Sequence, residues 1–122
     1  MAVRAVRGAV QLEETSPEAV RDGARRLVLE VLERNALTEA DLISVLFTNT
    51  PDLIGDFPAV GVRQAGLTQV PLMCAVEIAV PGAMPRVVRL MAHVETERSR
   101  DEVVHVYLDG AVALRPDLAG TA

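Results

Sequence analysis

The chain has 122 residues and a net charge of −5, which allows one domain with one core and leaves a global field that repels nucleic acid and anionic membranes. Half of the residues are hydrophobic, but Phe47, Phe57 and Tyr107 are the only aromatics, so the core must be Val, Ala, Leu and Ile, as suits α/β or α+β packing. The single Cys74 excludes an internal disulfide, one Cys and two His are too few for an ordinary zinc site, and no apolar run nears the ~20 residues of a membrane span.

Val3 to Leu12 reads as a first strand. Thr15-Ser16-Pro17-Glu18 starts a helix, either with Ser16 as cap and Pro17 in the first turn or with a Thr15/Glu18 capping box. Val20, Ala24, Leu27, Val28, Val31 and Leu32 then fall on one stripe at the helical period, and Asn35 ends the helix. Thr38 to Leu42 adds a capped turn, and Ile43 to Thr50 is a second strand stopped by Pro51. Phe57-Pro58 opens a short helix that Gly66 terminates.

Val70 to Val80 reads as extended, with Pro71 and Pro81 as interruptions and Pro81-Gly82 as a turn. Arg86 to Glu95 is a strand, Glu97 to Glu102 a charged loop, Val103 to Leu108 a strand, and Asp109-Gly110 a turn. The order β-α-β-α-β-β-β defines one α+β domain over residues 1–122, a mixed sheet with one long and one short helix, and residues 116–122 as a mobile tail. One long helix cannot cover both faces of such a sheet, so a symmetric oligomer is expected. The opening residues lack the apolar stretch of a signal peptide, and a soluble cytoplasmic protein is expected.

All 12 cationic side chains other than histidine are arginine, which codon bias in a GC-rich genome explains by itself. Their placement is more informative. Arg4 and Arg7 stand in an apolar strand, Arg89 lies mid-strand between Val87 and Met91, and Tyr107 and Arg115 lie eight residues apart in the apolar tail. Arginine cannot shed its charge, so partial burial demands an anion. With few carboxylates nearby in sequence, that anion is expected to be a small ligand with more than one negative charge. Competing readings stay open for each residue. Alternation does not say whether Arg4 or Arg7 points inward, and Arg89 has possible ion-pair partners in Glu77 and Glu95. Tyr107 also fits a core position, Arg115 has Asp117 two residues on, and Glu77 also fits a solvent-facing position. Cys74 has no neighbouring base, His93 and His105 have no triad pattern, and there is no glycine-rich phosphate loop.

Taken together, these segments resemble the monofunctional chorismate mutases of the trimeric α/β-barrel type. The landmarks are Arg7-Gly8-Ala9, Thr50-Pro51-Asp52-Leu53, Phe57-Pro58-Ala59 with Val62-Arg63, Val70-Pro71, Cys74, Glu77, Arg89-Leu90-Met91, and the tail from His105 through Arg115 to Leu118. The resemblance implies a homotrimer, a pseudo α/β-barrel, with cofactor-free conversion of chorismate to prephenate, for phenylalanine and tyrosine synthesis, in clefts between subunits. It implies that Arg7, Glu77, Arg89, Tyr107 and Leu114 line one wall and that Phe57, Ala59, Arg63, Leu72, Met73 and Cys74 come from the neighbouring subunit, with Arg115 at the mouth. Of these, Arg89, Glu77, Arg7 and Tyr107 are expected to carry the catalysis. Val60 stands where relatives can carry Lys, Met73 where they can carry Thr, and the loop before Val70 is one residue short of some. Two alternatives to a mutase remain: a metabolite-sensing trimer without chemistry, and an imine or enamine hydrolase on a similar fold.

Overall fold

The apolar stripe of the first helix decides the architecture, because it has to be buried on something flat. In a computed structural model describing residues 1–119, β1 (Ala2–Gln11) leads into α1 (Pro17–Arg34), then β2 (Leu42–Asn49), α2 (Pro58–Gln64), β3 (Leu72–Val76), β4 (Val87–Thr96), β5 (Val106–Leu108) and a terminal helical turn, α3 (Pro116–Ala119). Of the tail expected to be mobile, residues 120–122 lie outside the described ones. The five strands form one mixed sheet in the order β3-β2-β4-β1-β5. β4 pairs antiparallel with both β1 and β2, whereas the outer pairs β2–β3 and β1–β5 are parallel.

Local chemistry sets the helix ends. Ser16, extended at φ −65° and ψ 155°, accepts a hydrogen bond from the Ala19 amide, so it is the cap and Pro17 fills the first turn. The buried stripe Val20, Ala24, Leu27, Val28, Val31 and Leu32 packs on Val6, Val10, Val45, Phe47, Val88, Leu90, Ala92 and Val94, which project from one face of the sheet. α2 packs beside α1, and a methyl group at Gly61 would land on the Arg21 carbonyl. Ser99 and Glu102 form a capping box, so the charged loop ends in a 3-10 turn at Arg100–Glu102.

Two expected strands come out shorter, each for a local reason. The extended stretch from Val70 forms a ladder at Leu72–Val76, flanked by one bond at each end: the Val45 amide donates to the Pro71 carbonyl and the Glu77 amide to the Asn49 carbonyl. Upstream, the Gln69 and Val70 amides both donate to Glu39 Oε2, and Pro71 has no amide to give. The last strand begins at Val106 rather than Val103, because both main-chain groups of Val104 are taken by the buried Asn35 side chain: Asn35 Oδ1 accepts from the Val104 amide at 2.7 Å, and Asn35 Nδ2 donates to its carbonyl at 2.9 Å. After Leu108 the chain makes a 3-10 helix over Asp109–Leu114, with Asp109 in the left-handed region at φ 55°. The isolated turn expected at Asp109-Gly110 is therefore the start of a longer element.

Because α1 and α2 approach at Gly61 with no room for a side chain, Gly61→Ala should cost about 1–3 kcal/mol of stability, read from the urea unfolding midpoint. An unchanged midpoint would show that the helices part freely there.

Candidate functional site

With both helices on one face, the other face of the sheet is left open, and register puts its residues in rows. Ala75, Thr48, Arg89, Ala9 and Tyr107 run across the five strands as one row. Met73, Leu46, Met91 and Arg7 form the next. Arg4 belongs to the other set of β1 residues, and its Nε donates to the Arg98 carbonyl at 3.3 Å. This answers the question alternation left open: Arg7 is the arginine on the free face.

Arg7, Gly8, Leu46, Thr48, Arg89, Leu90, Met91 and Tyr107 enclose a depression of about 320 Å³ on this face, within the usual range of small-molecule sites. Arg7 is exposed, and its guanidinium has no hydrogen-bond or ion-pair partner among the described residues. Tyr107 is buried beside Ala9, Val87 and Ala111, with Leu114 and Met84 packed against the same cluster. Leu46 and Thr48 were not singled out from sequence, and Met91 only as a landmark beside Arg89. They become visible once the β2–β4 register places them beside Arg89.

Arg89 is not free of internal acids, contrary to the expectation that few carboxylates lie near. Its Nε meets Glu77 Oε1 at 2.7 Å, the ion pair that sequence had left as a competing reading. The pair is incomplete on both sides. Glu77 Oε2 is buried without a hydrogen-bond partner, and the other four N–H groups of Arg89 have none among the described residues. A buried acceptor left unpaired costs about 1–3 kcal/mol or more. With the Arg89 side chain 44% exposed, the ion pair itself contributes about 1 kcal/mol at most. The unpaired oxygen outweighs the pair, so the arrangement is better suited to receiving a donor than to stabilising the fold.

Glu77 and Arg89 also line an adjacent depression with Thr50, Asp52, Ile78, Val80 and Met84. The other expected residues lie elsewhere. Phe57 and Cys74 border a separate depression at the β3 edge, with Asn49, Ile54 and Val76. Phe57 is 68% and Met73 65% exposed, whereas Leu72 and Cys74 pack against the main core. Ala59 is part-buried in α2, and the exposed Arg63 donates to the Leu67 carbonyl at 3.0 Å. One chain therefore gathers Arg7, Arg89, Tyr107 and Glu77, but not the residues expected from a neighbour. Arg115 makes the alternative pairing noted from sequence: Nε and Nη2 donate to the two carboxylate oxygens of Asp117 at 3.1 and 2.9 Å. It still lies close enough to His105 and Tyr107 to act on both through space.

His93 shares a hydrogen bond with the Ser44 hydroxyl at 3.1 Å. His105 Nδ1 accepts from the Arg7 main-chain amide at 2.9 Å, and sequence gave no sign of this contact. Among the described residues no group of three His, Cys, Asp or Glu is arranged to hold a metal ion, and no helix is long and apolar enough to cross a membrane.

Fold and site define an α+β protein with one helix-covered sheet face and one open face receptive to anions. The sequence model of the family described as chorismate mutase type I matches residues 3–118. Over 117 residues the chain is 48% identical to a curated chorismate mutase AroH of Thermus thermophilus, covering 95% of this chain and 96% of that protein. It is 36% identical over 122 residues to the chorismate mutase AroH of Bacillus subtilis strain 168, covering 99% and 96%. A solved chorismate mutase from Clostridium thermocellum superposes with a TM-score of 0.88 at 39% identity, covering 90% of this chain and 98% of that one. The chain belongs to the type I chorismate mutase family and is an isomerase of that class.

Burial first, then the charges of Arg7 and Arg115, hold the His105 imidazole below its ordinary 6.5. The folded chain thus takes up this proton less readily than the unfolded one. The contribution of this group to stability is full above pH 6.5 and is lost as pH falls from there toward the lower folded value. The urea midpoint should therefore drop between about pH 7 and about pH 5, with a shallower drop in His105→Asn. Equal slopes in the two proteins would rule out His105 as a source.

Proposed function

We propose that this chain converts chorismate to prephenate without a cofactor, in clefts formed between subunits of a homotrimer. Chorismate carries two carboxylates, an ether oxygen and a ring hydroxyl, and its rearrangement is a one-step pericyclic shift. That chemistry needs no nucleophile and no proton transfer. It needs the compact conformer to be held, and negative charge on the ether oxygen to be stabilised as the C–O bond breaks.

The observation that carries the reading is the half-used Arg89–Glu77 pair. In this reading, Glu77 Oε1 orients the guanidinium through Nε, and a remaining N–H of Arg89 meets the ether oxygen. Glu77 Oε2, which lacks a donor, accepts from the ring hydroxyl and balances positive character developing on the ring. Arg7 and Tyr107 grip a carboxylate and fold the side chain over the ring, with Leu114 packed behind Tyr107. Phe57, Ala59, Leu72, Met73 and the Cys74 backbone would close the cleft from the neighbouring subunit. Their separation from Arg7 within one chain supports this assignment. Arg63 and Arg115 attract the dianion at the mouth, which requires Arg115 to exchange Asp117 for the substrate. That pair is solvent-exposed and contributes little, so the exchange is cheap.

The trimer is supported by the uncovered apolar surface, where Leu46, Met73, Val76, Ile78 and Val80 are exposed on and beside the outer strands. A cytoplasmic enzyme serving phenylalanine and tyrosine synthesis is consistent with the lone free Cys74.

Loss of chorismate absorbance on adding enzyme tests the activity directly, and an inert, folded protein would overturn it. Arg89→Ala should lower turnover at least about a hundredfold with the fold intact by circular dichroism, since one preorganised donor supplies about 3–4 kcal/mol. Glu77→Gln, which weakens acceptance from the ring hydroxyl, should cost about tenfold or more. Near-normal turnover in a folded Arg89→Ala protein would remove Arg89 from the chemistry. Light scattering should return three times the chain mass, and a monomer with full activity would refute the shared cleft.

A further inference from the structure

Beside the depression that holds Arg7, a second one of about 480 Å³ lies at the unpaired edge of β1, lined by Val3, Ala5, Arg7, Met91 and His93 of the open face together with Arg4, Arg100, Val103 and His105. No carboxylate is among these residues. We infer that His105 is a positioning residue for the substrate-gripping pair Arg7 and Tyr107, and that it serves this purpose only as neutral imidazole. The inference rests on the reading of Arg7 and Tyr107 as carboxylate ligands.

Strand geometry carries the argument. In a continuous parallel ladder the Arg7 amide would donate to a main-chain carbonyl of the neighbouring strand. Residue 104 is unavailable, because Asn35 at the end of α1 binds both its amide and its carbonyl. Pairing resumes only at Val106, opposite Gly8, and Tyr107, opposite Ala9. In the gap, the His105 side chain supplies the acceptor that the backbone withholds. The ring is thus a rung between β1 at Arg7 and the strand that enters Tyr107. Asn35 fixes the chain just before it at Val104, and the ladder fixes it just after at Val106. Changing its length or losing its acceptor would shift Arg7 against Tyr107 by a fraction of an ångström or more, and catalysis by restraint tolerates such shifts poorly.

The same bond dictates protonation. An accepting Nδ1 means that the proton sits on Nε2. An imidazolium has donors at both nitrogens, so protonation would set one N–H against another. It would also add a positive charge facing Arg7 and Arg4 on β1, His93 on β4, Arg100 in the 3-10 turn and Arg115 on the C-terminal side. From the end of α1, the neutral Asn35 amide bonds the main chain of the preceding residue, Val104. Burial first, then the charges of Arg7 and Arg115, keep the imidazole below its ordinary range. Since the reaction transfers no proton and Asn does not titrate, the part of any acid fall-off that His105→Asn removes would report positioning rather than chemistry.

The test compares kcat and KM from about pH 5 to about pH 8 in the intact protein, its His105→Asn variant and its His105→Phe variant, with thermal midpoints for each. Asn keeps an oxygen that the Arg7 amide can reach. It should stay near wild-type kcat/KM at neutral pH and lose part of the acid fall-off. Phe removes the acceptor and should lower kcat/KM about tenfold or more at every pH, mainly through KM. Nitrogen-15 spectra of the wild-type imidazole should show the Nε2–H tautomer at neutral pH, a readout independent of any variant folding. A folded Phe variant with wild-type kcat/KM, an Asn variant with the wild-type acid limb, or an Nδ1–H tautomer would each overturn the inference. Arg7→Ala, measured alongside, separates the two levels: undiminished kcat/KM there would sink the reading of Arg7 as a ligand, whatever the His105 variants do.

Discussion

A guanidinium group stays charged at any pH a protein meets, and the rest of this structure follows from where one of them is placed. Arg89 sits in the middle of β4, the central strand that pairs with both β1 and β2. A cation there has to be answered by an anion. Glu77, just past the edge strand β3, answers it with a single carboxylate oxygen. Had both oxygens been engaged, the pair would be an internal strut. Because Oε2 is buried and unpaired and Arg89 keeps four spare donors, the pair holds an acceptor and a donor ready for something outside the chain. Arg7, one strand over and without a partner among the described residues, adds a second positive charge to the same face.

The two sheet faces differ in what they carry. Valine and leucine from four strands meet the α1 stripe on one side and make the only large core among the described residues. The opposite side keeps Leu46, Met73 and Met91 uncovered around the charged groups. The charged groups and the uncovered apolar side chains therefore share one face.

Much of this was legible in the residues. The cap at Ser16, the buried stripe and the stop at Asn35 follow from local hydrogen bonding and the helical period, which depend on near neighbours alone. The charged and aromatic landmarks Arg7, Glu77, Arg89 and Tyr107 were legible as types needing partners. Which partner each takes was not: Glu77 and Glu95 were both open to Arg89, and only strand pairing brings Glu77 to it. The truncated last strand was hidden for the same reason. Val103 to Leu108 is a continuous β-forming run, and nothing within it announces that Asn35, sixty-nine residues away, captures Val104.

By itself the sequence determined the five strands, the two longer helices, their order and the family, since periodicity, capping and ordered landmarks are properties of the chain read locally. It also determined that permanent cations lie within apolar strands. Only the tertiary structure decided which side of each strand is free. Alternation supplies two equivalent faces, and the packing of α1 on one of them breaks the tie. The same packing turned Arg7 outward, joined Arg89 to one oxygen of Glu77, and placed the His105 ring where a backbone carbonyl would otherwise stand.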